Sequence, residues 1–189
     1  MIDIALKFLH DQVNLHLQKA LIPGTEKPLS LSPIVNPAGE NAIKTRLGMA
    51  LIKLDEERIH KSQTRHRLVD DTVVYFTEPD LKLNMYILVA ASHGTDDGEE
   101  ALRSLSAVVA FFQAQASFDV STYPTLAPID KLVVSMETVD FETQNHIWGA
   151  LGAKYLPSVI YKVGVITIQR GLIDMTASPV LTKEIKSAS

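Results

Sequence analysis

The side chains of this 189-residue chain that could do chemistry are thinly spread. Its histidines are His10, His16, His60, His66, His93 and His146. None of them forms the i, i+4 pair that sets two imidazoles on one helix face around zinc. His60 and His66 share a polar stretch that a metal could bridge, but ordinary surface histidines account for the set as well. Adjacent carboxylates occur at Asp70-Asp71, Asp96-Asp97 and Glu99-Glu100. Side chains one residue apart point in different directions, so these serve capping and solvation rather than an acid and base pair. The basic run Arg58, Lys61, Arg65 and Arg67 could touch phosphate. It lacks interleaved aromatic platforms and is flanked by acids, so a solvated or subunit-facing loop explains it better than nucleic acid. Phosphate-cradling loops and nucleophile elbows are absent from the sequence. With no cysteine, thiolate nucleophiles, disulfides and Cys-based metal sites are excluded. An enzyme is not expected, and neither is a cofactor or metal.

The elements holding these residues come from a chain that is 46% hydrophobic and 21% charged, with a net charge of -4. That length and apolar content suit one domain with a real core. The near balance of charge gives no overall drive toward DNA or an anionic membrane. The N-terminus interrupts its apolar pattern with Asp3 and Lys7, unlike a secretory signal. No window approaches the roughly 18 consecutive apolar residues of a membrane span. A cytoplasmic protein without direct membrane insertion is expected, one that leaves the cell only as part of a larger particle.

Ile2, Leu6, Leu9, Val13 and Leu17 recur at three- and four-residue steps and predict a first helix over 2–20. Phe8 and Leu15 lie off that stripe and are candidate assembly contacts, together with Arg58, Lys61, Arg65 and Arg67. Residues 21–45 collect prolines, glycines and small polar residues, predicting a long loop that orders against a neighbour. Alternation predicts strands over 47–54, 83–91 and 132–137, with a polar excursion over 58–80. Asp96 with Glu99 matches a capping pair, predicting a second helix that ends near Ala116. Asp140 is a plausible N-cap for a short third helix that closes around Gly149 to Gly152. A last strand follows Pro157 and runs to Ile168. This order predicts a single α+β domain over 1–170, about four mainly antiparallel strands packed with three helices, and a short tail over 171–189.

Trp148 is the sole tryptophan, and alone it reads as a core plug near a helix end. In context it is more specific. The run Asn145-His146-Ile147-Trp148-Gly149-Ala150-Leu151-Gly152-Ala153-Lys154-Tyr155-Leu156-Pro157-Ser158-Val159-Ile160-Tyr161-Lys162 resembles a segment of the cap, or tube-terminator, proteins of extracellular contractile injection systems. These are the Photorhabdus virulence cassette and antifeeding-prophage particles. Ala5-Leu6-Lys7-Phe8-Leu9, Leu83-Asn84-Met85-Tyr86-Ile87-Leu88 and the stretch from Ala101 to Gln113 resemble the same family in the same order. The specific positions are Trp148, Gly149, Gly152, Lys154, Tyr155, Leu156 and Pro157.

The resemblance implies a fold similar to phage tail terminators. It also implies a structural subunit forming a ring, six-fold in the family, on the baseplate-distal end of tube and sheath and stopping their growth. Its implied partners are copies of itself and the tube and sheath proteins. Ala153 stands where the family often has a third glycine, and the sequence closes in Ser178-Pro179 and a Lys/Ser-rich tail rather than a larger C-terminal part. Residue patterns alone reach only an α+β domain. Another phage-derived joining or scaffolding role, or a small-molecule-binding regulatory domain, fits those patterns too.

Overall fold

The structure is a computed structural model that describes residues 1–21, 27–57, 66–70, 73–77, 81–92, 98–168 and 173–177, with side chains outside 66–81 and 165–177. It forms two compact units, Met1–Glu56 with Leu83–Ile166, and Glu57–Lys82 with Thr167–Ser189.

The first unit is built on a six-stranded mixed sheet in the order β1-β2-β5-β8-β7-β6. These strands are β1 Leu29–Leu31, β2 Leu47–Glu56, β5 Leu81–Ala91, β6 Ser117–Asp119, β7 Lys131–Glu137 and β8 Ser158–Ile168. β1 runs parallel to β2, while β2 with β5, β6 with β7 and β7 with β8 are antiparallel. The end of β5 is tied to the start of β8 by the Ala91 N–H, which donates to the Pro157 carbonyl at 2.8 Å. In β5 both alternating sets are enclosed: Met85, Ile87 and Val89 on one face, Leu88 and Ala90 on the other. This is the burial expected of a central strand covered on two sides.

One face carries α1 Ile2–Ala20 and α2 Gly98–Ala114, which pack on each other. α1 buries Leu9, Val13 and Leu17 of the predicted stripe together with Ala5, Phe8 and Asn14, while Ile2 and Leu6 of that stripe are half-buried. α2 buries Ala101, Leu105, Val108 and Phe112. Between these helices and the sheet lies an aromatic cluster. Phe8 meets Phe118 and Tyr123 edge-on at 5.4 Å each, and Phe112 meets Tyr161 at 4.6 Å. The other face carries α3 Phe141–Leu151, whose Trp148 packs with Ile34, Ile43, Leu88, Ala90 and Ile160. The second unit holds a three-stranded antiparallel sheet, β3-β4-β9, made of β3 His66–Asp70, β4 Val73–Thr77 and β9 Ile173–Ala177.

The three helices, the α+β class and the mainly antiparallel pairing agree with expectation, but the strand count does not. β1 and β6 are three residues each, too short for alternation to show. The polar excursion contains the β3 and β4 hairpin, because the run Val73–Thr77 is β-branched and aromatic and pairs with His66–Asp70 despite the charged residues there. Residues 173–177, within the expected tail, pair with β4. The long loop is not an arm waiting for a neighbour. Leu29, Ile34 and Ile43 are buried in the chain's own core, and the Asn14 side chain brackets the Leu29 backbone, accepting from its N–H and donating to its C=O at 3.0 Å each. Residues 22–26 of that loop, and Asp96 of the expected capping pair, lie outside the described residues.

Tyr161 is 1% exposed, and its hydroxyl meets no hydrogen-bond partner among the described residues. Burial pushes its pKa from 10.0 up to about 12. An orphaned buried hydroxyl costs about 1–3 kcal/mol, so Tyr161→Phe is expected to raise unfolding stability by roughly 1 kcal/mol in urea at neutral pH. The folded state also favours the neutral phenol. That contribution is complete below pH 10 and is lost as the pH rises toward about 12, so the gain from Phe should widen over that interval. A less stable Phe variant would show that the hydroxyl is satisfied.

Candidate functional site

The segment that carries the sequence signature is α3 with its exit into β8. Asp140 caps the helix: its side chain accepts from the Thr143 N–H at 2.7 Å, and this bond holds the carboxyl below its ordinary value. The next residue, Phe141, is 90% exposed, and Glu142 beside it reaches His146 at 3.8 Å. Trp148 is the single fully buried side chain of the helix, 4% exposed, with Tyr155 edge-on at 5.7 Å.

The helix stops by backbone geometry. Gly152 sits at φ 66°, its N–H reaches the Gly149 carbonyl at 3.0 Å, and the Ala153 N–H reaches the Trp148 carbonyl at 3.2 Å. This pair of bonds is a Schellman motif, with Gly152 in the left-handed position and Ala153 after it. Alanine is therefore accommodated directly after the left-handed glycine. Pro157 then delivers the chain to β8 through the bond from Ala91.

The two glycines predict opposite behaviour. A side chain at Gly149 would meet nothing within 4 Å, so Gly149→Ala is expected to stabilise by about 0.5–1 kcal/mol, the usual gain in a helix interior. Gly152→Ala forces a Cβ into the left-handed region and should cost about 1–2 kcal/mol. Urea unfolding of both variants checks the contrast. Equal effects would argue against this helix end.

α3 stands over the sheet on its indole, with open space on either side. One cleft of ≈ 190 Å³ is lined by Val139, Gln144, Trp148 and Val159 among others, and a larger one of ≈ 490 Å³ by Ile52, Tyr86, Thr143, Ile147 and Leu151 among others. Lys53 and Glu137 reach the larger cleft. The Lys53 ammonium bonds Asp55 at 3.0 Å, which raises its pKa, and lies 5.1 Å over the Tyr86 ring. A third opening, ≈ 400 Å³, lies at the β1 edge and is lined by Leu6, Leu31, Pro33, Leu51 and Leu151 among others. β1 covers only Leu47, Gly48 and Met49 of β2, so residues 50–54 have no described strand on that side.

The sequence candidates divide. Trp148, Gly149, Gly152, Leu156 and Pro157 build the helix end and strand start, while Lys154 and Tyr155 are exposed. Leu15 is 48% exposed and free to make contacts, but Phe8 is 6% exposed and belongs to the core, locked by Phe118 and Tyr123. Arg58, Lys61 and Arg65, with His60 and His93, lie outside the described residues. Of Arg67 only the backbone is described, paired with Tyr75. Glu99 and Glu100 make ion pairs, with Arg103 at 3.2 Å and Arg46 at 2.5 Å. Among the described residues no group of three metal-ligating side chains converges, and no helix is long and apolar enough to cross a membrane. The three openings escaped sequence reasoning because their walls come from elements distant in the chain.

Residues 5–182 match the family described as the Pvc16 N-terminal domain. The chain belongs to that family. Its fold is similar to two cryo-EM structures. One is the PVC sheath/tube terminator of an extracellular contractile injection system in the extended state, with TM-score 0.61, 12% identity and 96% of this chain covered. The other is the tube-terminating cap of the anti-feeding prophage, with TM-score 0.57, 14% identity and 97% covered. This chain spans 64% and 61% of those two proteins' lengths. A search of curated proteins gave no match.

Proposed function

We propose that this protein is a non-enzymatic terminator subunit of a contractile injection particle. It forms a ring, six-fold as in the resemblance drawn from its sequence, that sits on the baseplate-distal end of tube and sheath and stops their growth. The observation that carries this reading is the family match over residues 5–182, joined to a terminator-like fold over 96% of the chain. The surfaces suit it. An assembly subunit needs contacts that close a ring and a face that fits the last layer beneath. The exposed Phe141, Tyr155 and Leu15 and the openings around α3 supply apolar contact area. The outer side of β2 over 50–54 supports strand addition from a tube or sheath subunit, where backbone bonds give affinity and neighbouring pockets take alternate side chains. Leu15 and the basic residues Arg58, Lys61, Arg65 and Arg67 are the further proposed contacts. Assembly takes place in the cytoplasm, and the subunit becomes extracellular only with a released particle.

The purified chain should have the native mass of a closed oligomer, alone or when tube subunits are added, and negative-stain images should place it at one end of each tube. A persistent monomer that never decorates tube ends contradicts the proposal.

A further inference from the structure

α3 is an eleven-residue helix held to the sheet by little more than one side chain. Trp148 is buried, Gln144, Ile147 and Leu151 are half-buried, and the other residues face solvent. α1 and α2, by contrast, bury side chains on each successive turn. They also have polar ties: Asn14 and His10 of α1 reach the Leu29 backbone, and Glu100 of α2 pairs with Arg46. The polar side-chain contacts of α3, Asp140 with Thr143 and Glu142 with His146, stay within the helix and its cap. Among the described residues none reaches the sheet.

The space beneath the helix is poorly filled. The clefts of ≈ 190 Å³ and ≈ 490 Å³ on either side share Val139, Ile147 and Ile160 as walls, so the indole lacks packed neighbours on both flanks. The ends of the helix can turn. Residues 138–140 before it and 153–157 after it are in neither helix nor strand, and Gly152 at its exit sits at φ 66°. The chain is next bonded to the sheet at Pro157. An isolated helix of this length is marginal in water, so one that lifts off its floor also melts.

We infer that α3 is a latch. It opens as one unit while the sheet stays folded, and the open state bares the apolar floor to which Ile52, Leu88 and Ile160 belong. Closed and open forms are two states of the first unit, and the indole sets the balance between them. This goes beyond the terminator reading and does not depend on it.

Native-state hydrogen exchange of the full chain reads the opening directly. After correction for intrinsic rates, the amides from Gln144 to Leu151 should share one rate, about 100-fold faster than those of Ile87 and Val89 in β5. That rate should hardly change in low urea, because the step exposes little surface. Ala150 is exposed and lines the larger cleft, so Ala150→Leu places a branched side chain over open space. It should slow all of those amides together by about tenfold, as one newly buried apolar side chain does. Rates graded inward from the helix ends, with Ala150→Leu slowing the last turn alone, are fraying and overturn the inference. So do α3 amides that exchange as slowly as those of β5, because the helix would then open only with the whole unit. A shared fast rate that a folded Ala150→Leu chain leaves unchanged also overturns it. Should that variant fail to fold, the wild-type profile decides.

Discussion

Replacing Trp148 by alanine is expected to destabilise the first unit by about 3–5 kcal/mol, the cost of emptying a large aromatic site that cannot fully collapse. The indole fills the space between α3, the sheet and the 32–43 segment, touching a cluster that includes Ile34, Leu88 and Ile160. No other side chain of α3 is fully buried. Its loss should therefore detach the helix as well as open a cavity. For a chain of this size the corresponding fall in Tm is on the order of 10 °C. Trp148→Phe keeps an apolar ring and should lose less than half as much. A folded Trp148→Ala chain with an unchanged Tm would mean that α3 is held by something other than its indole.

The second large effect is expected at Asn14. Its carboxamide is 3% exposed and makes both hydrogen bonds to the Leu29 backbone, so it acts as a substitute strand for β1. His10 Nε2 also lies 3.0 Å from the Leu29 carbonyl, so that oxygen keeps a neighbour when Asn14 is removed. The Leu29 N–H does not. Asn14→Ala should therefore cost about 1–3 kcal/mol, the penalty of an orphaned buried donor plus a lost bond. Asn14→Leu, which keeps the branched shape but not the polar atoms, should be no better, because polarity is what the site requires. Hydrogen exchange at Leu29 gives a local check: protection should fall there far more than at β5. A leucine variant as stable as wild type would remove the argument.

What the sequence made legible follows the range of the forces involved. α1, the Asp140 cap, the Gly152 stop and the strand after Pro157 obey local rules of spacing, capping and backbone freedom, and each stands where those rules put it. Phe8 was misjudged because α1 is buried over a wider arc than one stripe: it meets α2 on one side and the Tyr123 turn on another. The 21–45 loop looked unanchored because its anchor, Asn14, lies in a helix and gives no apolar signal. β1 and β6 exist through pairing with longer neighbours, which no three-residue window can reveal.

The candidate site divides along the same line. Trp148, Gly152 and Pro157 are distinctive in sequence because they are structurally demanding: a buried indole, a left-handed helix stop and the entry to β8. The features left open are an exposed ring at Phe141, an uncovered stretch of β2 and a pocket walled by residues as far apart as Leu6 and Leu151. Such features carry no local rule, only a position in the finished fold.

The most direct test of the terminator account is the length distribution of tubes grown from purified tube and sheath subunits on baseplates, with and without this protein. Added during growth, it should shorten the assemblies in proportion to its concentration and leave a ring on every baseplate-distal end. Unchanged lengths, with the protein unbound or scattered along the sides, would contradict the account.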